Sequence, residues 1–167
     1  MNRIEWIGVL FIAVLGTLLH YTYSASNEAL LVGFFSAMNE SVWEHLKLAF
    51  WPGVVWTFFL AYGLGWRSNR NFWFARMSAV TTSALSIVIL FYGYSKILGD
   101  NHLVLDLSIF MFSIVIGQQL ATKLYSIGPL SPVSQNLAIV VIVMEALSFI
   151  VFSVRPPTLG IFEPAIL

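Results

Sequence analysis

Residues 135–154 read QNLAIVVIVMEALSFIVFSV, a run of twenty residues in which Glu145 is the only ionisable side chain. Roughly 20 apolar residues are enough for an α-helix to cross the ~30 Å hydrocarbon core of a bilayer. The run is apolar on every side, whereas a transmembrane β-strand would alternate between apolar and polar residues. This stretch therefore predicts a membrane-spanning helix.

Four similar runs precede it, at about residues 4–23, 46–66, 72–98 and 103–125. Pro52 lies inside the second run, where we expect it to kink or divide the helix. The segment at about 28–38 has a helical apolar stripe but is too short to cross, which predicts an interfacial or re-entrant helix with Asn27 as its N-cap. The predicted fold is an all-α integral membrane bundle of about five transmembrane helices, in one transmembrane domain over residues 1–167.

The composition supports this class, since 59% of the residues are hydrophobic and only 10% are charged. The formal net charge is zero and no basic block occurs, so we expect a lipid bilayer and not a nucleic acid as the partner. The chain has no cysteine, which excludes disulfides and thiolate metal sites.

The basic residues predict an orientation. With five spans, one side carries Arg3, Arg67, Arg70, Arg76 and Lys123, and the other carries Lys47, Lys96 and Arg155. The positive-inside rule then predicts a cytoplasmic N-terminus. Glu5, near the start of the first span, is expected to be interfacial.

Residues 39–47, Asn-Glu-Ser-Val-Trp-Glu-His-Leu-Lys, concentrate ionisable side chains at the start of the second span. Glu40, Glu44 and His45 are candidate catalytic residues, because carboxylate and imidazole groups can act as general acids and bases. The predicted topology brings His20, His102 and Asp106 to the same membrane face. Glu40, Glu44, His45, His102 and Asp106 are thus candidate ligands of a divalent metal, or members of a proton relay.

A structural interpretation of the same residues is open. Ser41 and Glu44 have the spacing of a capping box, which would satisfy backbone N–H groups at the start of a helix. Glu44 could pair with Lys47 one turn on. Asp106 would suit the first turn of its helix, and His102 could be a solvated loop residue.

Glu145 is a separate candidate, because an ionisable group near the middle of a span costs ~2.5–3.5 kcal/mol on insertion scales. Such residues usually face the bundle interior or a water-filled path. Alternatively, it could hydrogen-bond to a stripe of small polar residues on the third span or to Gln118. The stripe consists of Ser78, Thr82 and Ser86, and it could equally be a helix-packing seam.

The segment Asn39–Lys47, followed by Phe50-Trp51-Pro52, resembles an uncharacterised family of small multipass prokaryotic membrane proteins. That family, a domain of unknown function, carries the signature N-E-S-x-W-E-H-x-K before its second span. The resemblance implies a prokaryotic plasma membrane protein and brings no established activity. It favours Glu40, Glu44 and His45 over Glu145.

Three functions are consistent with the sequence. The first is a membrane protein whose Glu/His/Asp cluster at the outer face binds a cation, either a metal or a proton. The second is a hydrolase-like enzyme acting on a lipid or amphiphile, which requires a lateral opening lined by Phe and Leu. The third is a non-catalytic subunit or scaffold, in which caps and salt bridges consume the acidic groups.

Overall fold

The computed structural model describes residue 1 and residues 3–164, so residues 2 and 165–167 of the predicted domain lie outside the described residues. Its α-helices are α1 (Arg3–Ala25), α2 (Leu30–Gly33), α3 (Val42–Phe58), α4 (Phe72–Leu98), α5 (Leu103–Ser126) and α6 (Pro132–Val154). A π turn follows α3 at Phe59–Gly63, and 3-10 turns lie at Trp66–Ser68 and Gly160–Phe162. The described ranges contain no strand, only an isolated bridge between Ser41 and Pro164. The all-α class is confirmed.

Five helical segments are long and apolar enough to cross a membrane. They are α1, α3 together with its π turn, α4, α5 and α6. Their length and apolar composition indicate a membrane protein built as a helical bundle. The helix α3 starts at Val42 instead of the expected residue 46, and it runs through Pro52 without a break.

The segment between α1 and α3 differs from the expected helix over residues 28–38. Only Leu30–Gly33 is helical, and its N-cap is Ala29. Asn27 and Glu28 instead have φ angles of 56° and 59°. Left-handed residues of this kind reverse the chain direction after a helix, so Asn27 belongs to the turn that ends α1.

The helix α4 occupies the centre of the bundle, where it packs against α3, α5 and α6, while α1 packs against α3 and α5. The helices α4 and α5 meet along a seam of small residues. Gly117 of α5 lies so close to α4 that a side chain there would overlap Ser83 and the backbone of Ala79. Small residues let two helix backbones approach closely in a membrane. The seam thus runs one residue after the Ser78, Thr82 and Ser86 stripe that the sequence offered.

The helix α1 packs closely on the backbone of α3 at Gly16. An ideal Cβ built on Gly16 would lie well under 3.0 Å from the Leu48 carbonyl oxygen and 2.9 Å from Phe110 Cζ. Leu48 is four residues before Pro52, and proline has no N–H to donate to that carbonyl. The carbonyl that Pro52 leaves free in α3 is therefore the point on which α1 packs.

A buried ion pair joins α1 to α4 at the end of the bundle that holds the N-terminus. Arg76 Nη1 donates to Glu5 Oε2 and to Gln118 Oε1, each at 2.9 Å. The Thr57 hydroxyl oxygen accepts from Arg76 Nε at 3.5 Å. The three side chains of the first two bonds are at most 1% exposed. Glu5 and Arg76 are thus buried against each other inside the bundle and are not exposed charges at its surface.

Candidate functional site

The polar segment at residues 39–47 contains the start of α3. Ser41 makes two hydrogen bonds there, one through its side chain and one through its backbone N–H. The Ser41 hydroxyl accepts a hydrogen bond from Glu44 N at 3.3 Å, as the capping-box pattern predicts. The second half of the box is absent, because Ser41 N donates to Asn39 Oδ1 at 2.8 Å. The Glu44 carboxylate therefore does not accept a hydrogen bond from Ser41 N and can bind other groups.

Glu44 instead belongs to a buried polar network between α3 and α6. Its Oε2 atom lies 2.6 Å from Lys47 Nζ, which confirms the pairing one turn along the helix. Ser153 of α6 donates to Glu44 Oε1 at 2.9 Å and accepts from Lys47 Nζ at 2.8 Å. Both charged residues are nearly inaccessible, with exposed fractions of 2% and 0%. Because this carboxylate and this ammonium are buried together and fully hydrogen-bonded, the loss of either would leave the other as an unpaired buried charge. We call the network of Glu44, Lys47 and Ser153 the clasp.

The same network fixes the loop at residues 34–41 that leads into α3. Lys47 Nζ donates to the Gly33 carbonyl at 2.6 Å, and Met38 N donates to Glu44 Oε2 at 2.7 Å. The Trp51 indole N–H donates to the Phe34 carbonyl at 3.0 Å. This loop carries Glu40, so the buried side chains of α3 determine where the Glu40 carboxylate lies.

Glu40 meets two histidines from different helices, His20 of α1 and His45 of α3. The two imidazole Nε2 atoms are 3.2 Å apart. Glu40 Oε2 lies 3.3 Å from His45 Nε2 and 3.7 Å from His20 Nε2. Two imidazole nitrogens and one carboxylate oxygen thus face one another across a space that one metal ion would fill. We call these residues the His20–Glu40–His45 cluster.

The hydrogen bond at Nδ1 of His45 determines the tautomer of its neutral imidazole. Nδ1 lies 2.8 Å from the Ser41 carbonyl oxygen, which can only accept a hydrogen bond, so Nδ1 carries the hydrogen. In the neutral imidazole the Nε2 atom then presents a lone pair towards the Glu40 carboxylate. Two acceptors at 3.3 Å repel each other unless a cation lies between them, His45 itself is protonated, or the neighbouring His20 Nε2, 3.2 Å from His45 Nε2, carries a hydrogen that it donates into the cluster. A hydrogen bond from Nδ1 to a carbonyl is also the usual support of a metal-binding histidine.

The cluster forms one end of a cavity of about 490 Å³ between α1, α3, α4 and α5. Apolar side chains from all four helices line the rest of it, among them Leu48, Ile87, Phe91, Leu107 and Phe110. The side chains of His20, His45 and Glu40 are 30%, 34% and 50% exposed, so the facing atoms are accessible from outside.

Asp106 lines the same cavity, while the described lining does not include His102. The Tyr94 hydroxyl donates to Asp106 Oδ1 and accepts from His102 N at 3.0 Å. His102 is exposed and precedes α5 without capping it through its side chain. Among the described residues, the compact group of ligand atoms contains neither of these two residues nor Glu44.

Glu145 lies half-buried in α6 and faces α4, where Thr81 is its polar neighbour. Thr81 is not part of the serine and threonine stripe that the sequence offered. Gln118 is engaged by Arg76. Glu145 is not among the residues that line the cavity, which come from α1, α3, α4, α5 and the loops that carry Glu40 and Asn101.

His20 is the member of the cluster that the candidate ligand set lacked. The predicted topology brought it to the same end of the bundle as His45, where the structure has it, but one histidine at the end of a span gives no pattern of its own. The signal that could have singled it out is its spacing from Gly16, one helical turn earlier, because a close-packed glycine marks the face of α1 that meets α3.

Comparison with known proteins identifies the family of the chain but no activity for it. A family model, DUF6512, described as a family of unknown function, matches residues 1–167. Neither a curated protein nor a solved structure matches the chain. Since the family model covers the whole length, the chain belongs to DUF6512, a family of unknown function.

Proposed function

We propose that this membrane protein binds a divalent metal ion, with Zn²⁺ as the best fit, through His20 Nε2, Glu40 Oε2 and His45 Nε2. One observation carries the proposal. Ligand atoms ~2.0–2.1 Å from a tetrahedral zinc ion are ~3.3 Å from one another. The three separations here are 3.2, 3.3 and 3.7 Å, so a metal needs almost no rearrangement.

The donor set also favours zinc. Two imidazoles and one carboxylate are borderline ligands, whereas magnesium and calcium prefer a shell made of oxygen. Three protein ligands leave the fourth position of a tetrahedral zinc to water or substrate, as in catalytic zinc sites. The partial exposure of the ligands gives that position access to the cavity.

A scaffold without a site is the weaker interpretation. It requires caps and salt bridges to consume the acidic groups, and Glu44 meets that description. Glu40 does not, since the ion-pair partners found for its carboxylate among the described residues are the two histidines. Neutral histidines would not neutralise it.

A proton is the second candidate cation, favoured by the same 3.3 Å contact between Glu40 Oε2 and His45 Nε2. An imidazolium at His45 would donate to Glu40 and remove the repulsion between two acceptors. This alternative keeps the cluster as a proton-binding site and removes the metal.

We further propose that the chain lies in a prokaryotic plasma membrane with its N-terminus in the cytoplasm. The charge count still supports this orientation after the buried Arg76 and Lys47 are removed from it. The proposed cytoplasmic side then carries Arg3, Arg67, Arg70 and Lys123, against Lys96 and Arg155 outside. In this orientation the cluster opens to the outer face.

The test is a zinc titration of metal-free protein in lipid nanodiscs, followed by isothermal calorimetry and metal analysis. We expect one zinc ion per chain. Mutation of residues that only support a metal ligand already costs ~10–100-fold in affinity, so H20A, H45A and E40Q should each lose at least that much.

The matched control is H102A, which removes the remaining histidine of the chain from the same face without touching the cluster. It should bind zinc as tightly as the native chain. The metal proposal fails if the native protein binds no zinc, or if H45A and H102A bind it equally well.

A further inference from the structure

The cavity beside the cluster has two chemically different parts. One end holds the facing atoms of His20, Glu40 and His45, and the Asp106 carboxylate also reaches the lining. Apart from Thr17 and Asn101, the remaining lining is hydrocarbon and aromatic. The volume of about 490 Å³ lies within the ~300–1,000 Å³ typical of small-molecule sites. A cavity reserved for a metal ion and its water would not need so long an apolar wall.

The exposed residues among the lining place the opening of the cavity at the side of the bundle, where α1 and α5 reach the outer surface. Three of its lining residues belong to the outside of the bundle, because Tyr21, Leu103 and Leu107 are 66%, 68% and 55% exposed. In a membrane-spanning bundle, leucines on the outer surface of a span face lipid, and tyrosine near its end lies at the headgroup level. The opening therefore connects the cluster with the boundary between headgroups and acyl chains.

The charge of the cluster determines which headgroup fits. Zn²⁺ with two neutral imidazoles and one carboxylate retains a net charge of +1. A monoanionic oxygen donor neutralises it and occupies the open coordination position. A long hydrocarbon chain on that donor would be in contact with Leu48, Ile87, Phe91 and Phe110 along the wall.

From this arrangement we propose that the site binds an amphiphile from the bilayer, with a monoanionic oxygen headgroup on the metal and one hydrocarbon chain in the apolar part of the cavity. The inference rests on the proposed metal site and names the class of molecule that reaches it. The chain enters between α1 and α5, past Leu103 and Leu107.

The experiment compares two probes on zinc-loaded protein in phosphatidylcholine nanodiscs. Acetohydroxamate and octanohydroxamate coordinate zinc through the same group, but only the second carries a chain. Removing one methylene from water changes an equilibrium by ~fourfold, so two methylenes inside the cavity already give more than tenfold. We expect octanohydroxamate to bind at least tenfold more tightly than acetohydroxamate.

The longer probe also partitions into the bilayer. A pair of variants on α5 separates that partition from binding inside the cavity. L107W enlarges a lining side chain where the cavity meets the outer surface of α5 and so blocks entry of the hydrocarbon chain, whereas L105W adds the same side chain at a neighbouring exposed position that is absent from the lining. The tenfold preference should persist in L105W and fall below threefold in L107W, with unchanged affinity for zinc and for acetohydroxamate. If L107W does not fold, L103W blocks the cavity at the more exposed first residue of α5.

The outcomes separate the two proposals. If zinc binds but both probes bind equally, or if the preference is the same in L107W and L105W, the amphiphile inference is wrong and the metal site stands. If zinc itself does not bind, the metal site fails and the inference fails with it.

Discussion

The contact between Gly16 and the Leu48 carbonyl positions His20, and the variant G16A tests it. The added Cβ would overlap a backbone oxygen of α3, which cannot rotate away, and would lie 2.9 Å from Phe110 Cζ. Overpacking of this kind costs ~1–3 kcal/mol. The helix α1 must move away from α3 to relieve it, and His20 is one turn further on the same face.

The matched control is G93A in α4, where a Cβ meets nothing within 4 Å. There the substitution only replaces glycine by a better helix former, with a gain of ~0.5–1 kcal/mol. The two variants make the same chemical change in a helix, so the gain in helix propensity cancels between them, and G16A should have a free energy of unfolding ~1–3 kcal/mol below that of G93A.

The assays are unfolding in mixed detergent and SDS, followed by circular dichroism, and zinc titration in nanodiscs. A functional site has to be held within ~0.5 Å of its working geometry, so we expect G16A to weaken zinc binding at least tenfold and G93A to leave it unchanged. Equal zinc affinity in the two variants would refute the argument that this contact positions His20. Equal stability would refute the close approach itself.

Two further predictions concern the buried charges. E5Q should lower the free energy of unfolding by ~3–5 kcal/mol, because it leaves the Arg76 guanidinium buried without a counter-charge. A double variant with R76M should recover part of that loss, and a double variant no more stable than E5Q would contradict the pairing. K47M should cost a similar ~3–5 kcal/mol, because the Glu44 carboxylate stays buried. It should also raise hydrogen exchange at residues 34–41. The exposed K96M is the control and should change stability by less than ~0.5 kcal/mol; equal effects of the two lysine variants would argue against the clasp.

The sequence predicted the helices because the relevant information is local. Twenty apolar residues in a row identify a spanning helix wherever it packs, and Ser41 at its spacing from Glu44 N identifies a helix start. The prominence of Glu40 and His45 was also readable, since both lie in one short polar segment. The pairing of Glu44 with Lys47 was readable from the same segment, but their shared contact with Ser153 was not, because that depends on where α6 lies.

The pairings between distant residues could not be read from the chain. Glu5 and Arg76 are 71 positions apart and look like ordinary charges at the ends of two spans. His20 meets His45 only because Gly16 lets α1 pack on the carbonyl freed by Pro52. A glycine such as Gly16 can mark a closely packed face of a helix, but the chain does not say which helix that face meets, so the third member of the cluster depended on tertiary structure.

The ion pair between Glu5 and Arg76 has a consequence for biogenesis. A ribosome completes α1 long before it reaches Arg76, so the first span must enter the bilayer before its guanidinium exists. Glu5 is close enough to the helix start to stay at the aqueous boundary during that interval. The pair can form only after α4 has been synthesised, so this contact of α1 in the finished bundle depends on a later helix.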